Sequence, residues 1–176
     1  MNLKDFIAVY ESPNPITVEE IKDLNWEKGL WQNANGEVSG EQQCHMTFDY
    51  DNFLGEKLVS SCHMIASHYA SRFGFQITGG YNPRFNKYNV GERMELHQDH
   101  ASSIFEDARG IPIISMIGIL NEDYLGGEVT FHLGEEKFTP EVSAGNVLVF
   151  PSSFPWKHEV KKVIEGIKYS WVTWAW

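Results

Sequence analysis

The chain has few cysteines, few positive charges and no long apolar run, and each shortage narrows the answer. Cysteine occurs twice in 176 residues, at Cys44 and Cys62, with no Cys-x-x-Cys spacing. Free thiols in a reducing compartment are the expectation, and one disulfide stays open as the alternative. Lys and Arg total 14 against 24 Asp and Glu, a net charge of −10. Nucleic-acid affinity comes largely from Lys and Arg neutralising phosphates, so this balance counts against a DNA or RNA partner, although a local basic groove could survive it. No stretch approaches the ~20 apolar residues of a membrane span. The opening M-N-L-K-D-F-I-A-V-Y-E-S has no apolar run of signal-peptide length, so a cytoplasmic protein without a membrane partner is expected. There is no internal repeat, low-complexity segment or obvious linker.

Aromatic residues make up 14% of the chain, with six Trp, which indicates a globular fold rather than disorder. The length predicts one domain over residues 1–176, which at this size buries roughly 70% of its unfolded surface. Phe6 to Tyr10 reads as a first strand. Thr17 begins T-V-E-E, a capping-box pattern that predicts a short helix through Lys22. Residues 32–42, rich in Gln, Asn, Gly and Glu, read as a loop. From Phe53 to Phe73, Leu54, Leu58, Cys62, Ile65, Tyr69 and Phe73 recur at three- or four-residue spacing, the stripe of one long helix, and Gly74 is a natural stop.

After Gly74 short apolar or alternating runs are separated by Gly, Pro and Asn. They are 75–78, 84–88, 94–99, 113–120, 128–132, 146–150, 159–163 and 167–174. About eight short strands indicate a mainly β fold, a sandwich or jelly roll, with the front helices covering one sheet face. On this reading residues 1–74 are strand and helical support and 75–176 are the jelly-roll core. The nearly continuous apolar run 113–120 is expected to be buried on both faces.

Three polar residues stand out against this background: His97, Asp99 and, far downstream, His158. In a strand, residues i and i+2 point to one face, so His97 and Asp99 can aim at one metal while Gln98 and His100 point away. His-x-Asp alone is weak, since a surface strand would carry such a pair equally well. A jelly roll, however, brings distant strands together at its mouth, and His158 follows the tight strand V-L-V-F. Two imidazoles and a carboxylate on one side of a metal, with open positions opposite, form the facial triad of non-haem Fe(II) oxygenases. The other histidines have plainer readings. His63 and His68 are five apart on a helix and do not share a face. His45 has no paired ligand, and His100 could support a ligand from behind. His132, which ends a strand, is the one rival ligand.

Lys168 lies on the strand I-K-Y-S-W-V-T-W, where it shares a face with Ser170, Val172 and Trp174. A buried lysine needs an anion, and no acid on that face supplies one. A keto-dicarboxylate would: its keto end would chelate iron and its far carboxylate would reach the lysine. With a turn centred near Glu165, Lys168 is expected opposite Lys162, four residues or roughly 13 Å from His158.

The stretch Y-N-V-G-E-R-M-E-L-H-Q-D (Tyr88–Asp99), the strand and Gly-Gly-Glu turn S-M-I-G-I-L-N-E-D-Y-L-G-G-E, the strand A-G-N-V-L-V-F-P, and the spacing of His158, Lys168 and Trp174 lie within 76–174. Together they resemble the prolyl 4-hydroxylase branch of the Fe(II)/2-oxoglutarate dioxygenases. The resemblance implies a double-stranded β-helix core with N-terminal helices packed on its major sheet. It implies that His97, Asp99 and His158 hold Fe(II) and that Lys168 pairs with the distal carboxylate of 2-oxoglutarate. Tyr88, and Ser115 on the central strand, would add hydroxyl donors to that carboxylate. Arg109 and Trp174 would lie toward a proline-containing peptide. The implied reaction consumes O2 and 2-oxoglutarate, releases succinate and CO2 and hydroxylates the substrate, with ascorbate as reductant. Asp99 favours hydroxylation over halogenation, because halogenating relatives lose the carboxylate. Met94 departs from the pattern: it stands where the family often has a tyrosine near the substrate. It leaves open the same chemistry on a free amino acid, a small metabolite or a nucleobase. A non-catalytic jelly-roll binding module is the remote alternative.

Overall fold

The computed structural model describes residues 2–29, 31–32, 38–39, 44–99 and 112–176, with only the backbone described at 31–32 and 38–39. After a 3-10 turn at Leu3–Phe6 come β1 (Ala8–Glu11), α1 (Val18–Ile21), β2 (Glu27–Lys28), β3 (Trp31–Gln32), β4 (Val38–Ser39) and β5 (His45–Thr47). The long helix α2 (Asn52–Phe73) precedes β6 (Arg84–Tyr88), β7 (Met94–His97), β8 (Ile114–Ile119), β9 (Tyr124–Gly126) and β10 (Val129–Leu133). The chain continues through β11 (Glu136–Phe138), β12 (Asn146–Pro151), β13 (Lys157–Val160), β14 (Val163–Gly166) and β15 (Lys168–Ala175).

The strands build an antiparallel sheet of seven, β1-β12-β8-β15-β6-β5-β2, and one of four, β11-β10-β13-β7. From β6 onward the chain alternates between them: β6, β8, β12 and β15 lie in the large sheet, β7, β10 and β13 in the small one. Each crossing adds a strand to the opposite wall, so residues far apart in sequence meet on the inner faces.

Alternation along the large-sheet strands sorts their side chains into two buried clusters. Ile114 and Met116 of β8, Val147 and Val149 of β12, and Tyr169 and Trp171 of β15 share one cluster with Leu54, Leu58, Cys62, Ile65 and Tyr69 of α2. Ile117, Ile119, Leu148, Phe150 and Val172 share the other with Val129, Phe131 and Val160 of the small sheet. All six residues of β8 are buried, as its unbroken apolar run predicts.

The helix predictions stand close to the structure. Thr17 and Glu20 form the capping box of α1, with Thr17 N–H donating to the Glu20 carboxylate at 2.7 Å. The Asp51 carboxylate accepts from Leu54 N–H at 2.8 Å to start α2. Gly74 ends it in the left-handed region at φ 75, where a side chain would be strained.

Four local expectations are corrected. The first strand begins at Ala8 because the Asn2–Asp5 capping box winds Leu3–Phe6 into a turn. Phe75–Thr78 is not a strand; Thr78 and Gly79 instead donate their N–H groups to the Trp176 carbonyl. Within the loop read at 32–42, residues 31–32 and 38–39 pair as a short ladder, and 33–37 and 40–42 lie outside the described residues. The strand read at 159–163 splits into β13 and β14. Val160 and Val163 are both buried at a spacing of three, which alternation in one strand does not allow. The chain breaks there: β14 pairs with β9, and no hairpin forms around Glu165. Lys168 therefore faces Tyr88 across the β15–β6 ladder, not Lys162.

Cys44 and Cys62 are both buried and free, so the possible disulfide is not formed. Among the described residues no helix is long and apolar enough to cross a membrane.

Candidate metal centre

His97 ends β7 and is the register partner of His158 on β13, so the small sheet itself sets the two imidazoles side by side. Their ring centroids are 4.3 Å apart. Asp99, two residues past the strand, turns its carboxylate between them. Its Oδ1 lies 3.3 Å from His97 Nε2 and its Oδ2 lies 4.0 Å from His158 Nε2. One donor atom from each of the three falls within 4.8 Å of the others, the one such grouping among the described residues. Glu95 O lies 2.7 Å from His97 Nδ1, and Trp156 O lies 3.4 Å from His158 Nδ1. A carbonyl can only accept, so each Nδ1 donates, which leaves Nε2 as the ring nitrogen that faces the centre.

The protonation states suit a metal. Burial, and then the neighbouring His97, lower the His158 pKa to about 4 against the opposing pull of Asp99, so this imidazole is neutral at neutral pH. Burial alone would raise the Asp99 pKa, but His158, His97 and Ser115 together hold its carboxyl well below the usual range. Phe131 and Phe150 enclose His158, with ring centroids 5.7 and 4.7 Å away. Two imidazole nitrogens and one carboxylate oxygen, gathered on one side of a cavity between the sheets, are a donor set that fits Fe(II) with open positions opposite.

The same cavity is lined by Lys168, Tyr88 and Trp174. Lys168 is 1% exposed, and its Nζ donates to the Gly127 carbonyl at 2.5 Å. The Tyr88 and Tyr124 rings each lie 5.8 Å from that nitrogen. Burial, partly offset by Glu128, lowers the Lys168 pKa to about 8. Burial, first among its causes, raises the Tyr88 pKa well above its usual value, so its hydroxyl stays a donor. A carbonyl is a weak partner for a buried ammonium, and this position fits the far carboxylate of a keto-dicarboxylate. A wider cavity of about 760 Å³ opens beside Ile16, Leu120 and Tyr169 and contains none of these groups.

The remaining candidates separate. Ser115 is corrected: it lies opposite Trp174 in the β15–β8 ladder, six residues along β15 from Lys168, and its hydroxyl donates to Asp99 Oδ2 at 2.6 Å. Ser152 Oγ adds a 2.9 Å hydrogen bond to Ser115. The Ser115 hydroxyl is thus engaged with Asp99, away from Lys168. Arg109 and His100 lie outside the described residues. Met94 is 5% exposed, packs in the inter-sheet cluster and also lines the cavity. His132 is no ligand; it sits next to Phe131, the register partner of His158, and so points to the other face, where it meets Glu159 at 2.7 Å. His45 lies with Asn89 and Glu92, at 3.1 Å from the Asn89 amide. Arg84 and Asn86, which also line the cavity, went unread in the sequence. Their signal was simple: they precede Tyr88 by four and two residues on one strand face.

Residues 83–176, more than half of the chain, match the model of the 2OG-Fe(II) oxygenase superfamily. The protein belongs to the 2OG-Fe(II) oxygenase superfamily. A PKHD-type hydroxylase of Cupriavidus metallidurans is 24% identical over 179 residues, covering 93% of this chain and 75% of that protein. A prolyl hydroxylase of Trichoplax adhaerens, solved with a hypoxia-inducible-factor oxygen degradation domain peptide, superposes with a TM-score of 0.72. It is 14% identical, over 97% of this chain and 83% of that one. A Pseudomonas putida prolyl-4-hydroxylase superposes with a TM-score of 0.68 at 15% identity, over 97% and 92% of the two chains. The oxygenase shares the fold of these enzymes. Its family makes it an oxidoreductase that uses Fe(II) and 2-oxoglutarate.

Proposed function

We propose that the oxygenase hydroxylates prolyl residues in a peptide or protein and releases succinate and CO2. The observation that carries the oxygenase chemistry is the meeting of the His97–Asp99–His158 cluster and the buried Lys168 in one cavity, and the likeness to prolyl hydroxylases supports the prolyl substrate. His97, Asp99 and His158 would hold the iron. Bound iron would supply the activation of O2, coupled to decarboxylation of 2-oxoglutarate. The other roles belong to the chain's own residues. Lys168, which now donates to the Gly127 carbonyl, would pair with the distal carboxylate of 2-oxoglutarate, and the Tyr88 hydroxyl would donate to the same carboxylate. Ser115 fixes Asp99 through the 2.6 Å hydrogen bond. Phe131, Phe150 and Val160 exclude water behind the ligands. Trp174, part-exposed at the far end of β15, lies on the substrate side, and Arg109 is assigned there on resemblance alone. Ascorbate serves as reductant.

We read the two sheets as the walls of a double-stranded β-helix with α1 and α2 on the outer face of the large one. The alternation of β6–β15 between the sheets and the cluster shared by α2 support this reading. The strands β1, β2 and β5 also extend the large sheet, so residues 1–74 belong with 75–176 in one domain. Two buried free thiols and a net charge of −10 support a reducing, cytoplasmic setting and a partner that is not nucleic acid.

The test is mass spectrometry of proline-containing peptides after incubation with iron, 2-oxoglutarate, O2 and ascorbate. A gain of one oxygen on proline, lost in His97→Ala, is the expected result. Succinate release with free amino acids and none with peptides would move the substrate to a small molecule. No iron-dependent succinate release with any substrate would make the domain a binding module.

A further inference from the structure

The cavity holds a second cation that the 2-oxoglutarate reading leaves unused. Arg84, Asn86 and Tyr88 alternate along the inner face of β6, opposite Val172, Ser170 and Lys168 of β15. Four residues separate Arg84 from Tyr88, or roughly 13 Å of strand. The cavity grades along that line. Tyr88 and Lys168, at 2% and 1% exposure, form its closed end, whereas Arg84 and Trp174 are part-exposed and form its open end. A substrate that enters from solvent meets Arg84 before it meets Lys168.

Arg84 is held in place, and among the described residues it has no ion pair. Its guanidinium carbon sits 5.5 Å over the Trp174 ring, and Nη1 points at Met46 Sδ at 3.9 Å. An aromatic face and a thioether orient a guanidinium but leave its hydrogen-bonding fork without an acceptor of opposite charge. Its Nε is buried with no partner among the described residues, and so is Oδ1 of Asn86, which is 4% exposed. Arg93 shows the contrast, for its Nε donates to the Glu95 carboxylate at 2.7 Å. A guanidinium N–H that is buried without an acceptor is costly, and an arginine that lines the cavity with part of its fork open fits a carboxylate supplied by a ligand. Lys168 occupies the closed end for the co-substrate. The carboxylate at the open end then comes from the substrate.

We propose that Arg84 binds a carboxylate of the substrate, with the orphaned Asn86 Oδ1 beside it to accept from an N–H or O–H of the same substrate. The substrate is therefore acidic next to the carbon that is hydroxylated. The inference rests on the oxygenase reading of this cavity. Two sources share the chemistry: the α-carboxylate of a terminal or free proline, and the side chain of an Asp or Glu next to an internal proline.

The probes are N-acetylproline, N-acetylproline amide and N-acetyl-prolyl-glutamate with its terminal carboxyl amidated. The protein is the full chain, nitrogen-15-labelled and loaded with zinc and 2-oxoglutarate. The reporter is the Arg84 Nε–H resonance, assigned by its absence in Arg84→Lys. It is expected to shift with N-acetylproline or with the glutamate probe and to stay put with the amide. Which acid moves it identifies the source of the carboxylate. In the iron-loaded enzyme, the acid probe that shifts the resonance is expected to drive succinate release about tenfold or more over the amide. That preference is expected to collapse in Arg84→Gln and to survive in part in Arg84→Lys. Equal response to acid and amide overturns the proposal, as does a resonance that answers 2-oxoglutarate but none of the acid probes. Failure of the underlying oxygenase reading looks different: zinc and 2-oxoglutarate then bind equally well to the native protein and to Lys168→Met.

Discussion

Ser115 donates its hydroxyl to Asp99 Oδ2 at 2.6 Å and so ties β8, an interior strand of the large sheet, to the carboxylate between the two imidazoles. The same residue is the register partner of Trp174, so one cross-strand pair joins the support of a ligand to the open end of the cavity. Outer partners of this kind typically tune metal affinity by 10–100-fold, that is, about one to two orders of magnitude. Ser115→Ala is expected to weaken zinc or iron binding by roughly that factor, with a smaller effect on 2-oxoglutarate affinity in metal-saturated protein. Calorimetric titration reads both constants. Native metal affinity in the variant would show that His97 and His158 orient Asp99 without help.

Lys168 offers the sharper cut. Its nitrogen has a carbonyl partner and no carboxylate among the described residues, and the charge-assisted pair it would form with 2-oxoglutarate is fully buried. Removing one partner of such a pair costs about 3–5 kcal/mol, or roughly two to nearly four orders of magnitude in affinity. Lys168→Met is therefore expected to lose measurable 2-oxoglutarate binding while metal binding persists. Lys168→Arg is expected to recover only part of it, because the larger planar head must fit the closed end between Tyr88 and Tyr124. Equal affinity in the methionine variant would place the co-substrate elsewhere.

The pH dependence follows from the same nitrogen. Burial brings the Lys168 pKa down to about 8 in the free protein. The carboxylate binds the charged form, so affinity for 2-oxoglutarate is level below that value. Above it the proton must be taken up again on binding, and affinity falls about tenfold per pH unit until the pKa of the complex is reached. Dissociation constants measured from pH 7 to 9.5 with zinc in the site check the slope. A flat profile to the top of that range would mean the ammonium keeps its proton in the empty cavity.

These residues also mark how far the chain could be read unaided. The grouping of His97, Asp99 and His158 was legible because ligand chemistry is a local rule, although Asp99 lies beyond the end of β7 where strand alternation does not place it, and Lys168 stood out because a lysine in an aromatic strand is anomalous wherever the strand packs. The role of Ser115 was not, since it depends on which row of β8 meets which row of β15, and register between distant strands leaves no mark in composition. Arg84 and Asn86 escaped for a related reason: a charged residue two turns of the pleat before Tyr88 looks like solvent-facing polarity until the opposite wall is known. The break between β13 and β14 was visible in principle, because Val160 and Val163 are out of phase for one strand. The expectation of a hairpin overrode that signal.

Gly118 tests the packing that holds the site from behind. It faces Trp171 across the β15–β8 ladder, and a β-carbon placed on it would overlap the Trp171 indole. Trp171 is 2% exposed in the cluster shared with α2, so the ring has nowhere to retreat without moving the helix or β8. Overpacking of this kind costs about 1–3 kcal/mol. Gly118→Ala is expected to lower the urea midpoint by a corresponding amount. In a Trp171→Leu background, where the overlap is gone, the same substitution is expected to cost much less, because the two residues share one contact. The neighbours Ile117 and Ile119 face the cavity side, so a shift of β8 also disturbs Ser115 and, through it, Asp99. Metal affinity in folded Gly118→Ala is thus expected to fall together with stability and to recover together with it in the double variant. Additive costs in the two backgrounds would show that the ring and the glycine do not depend on each other.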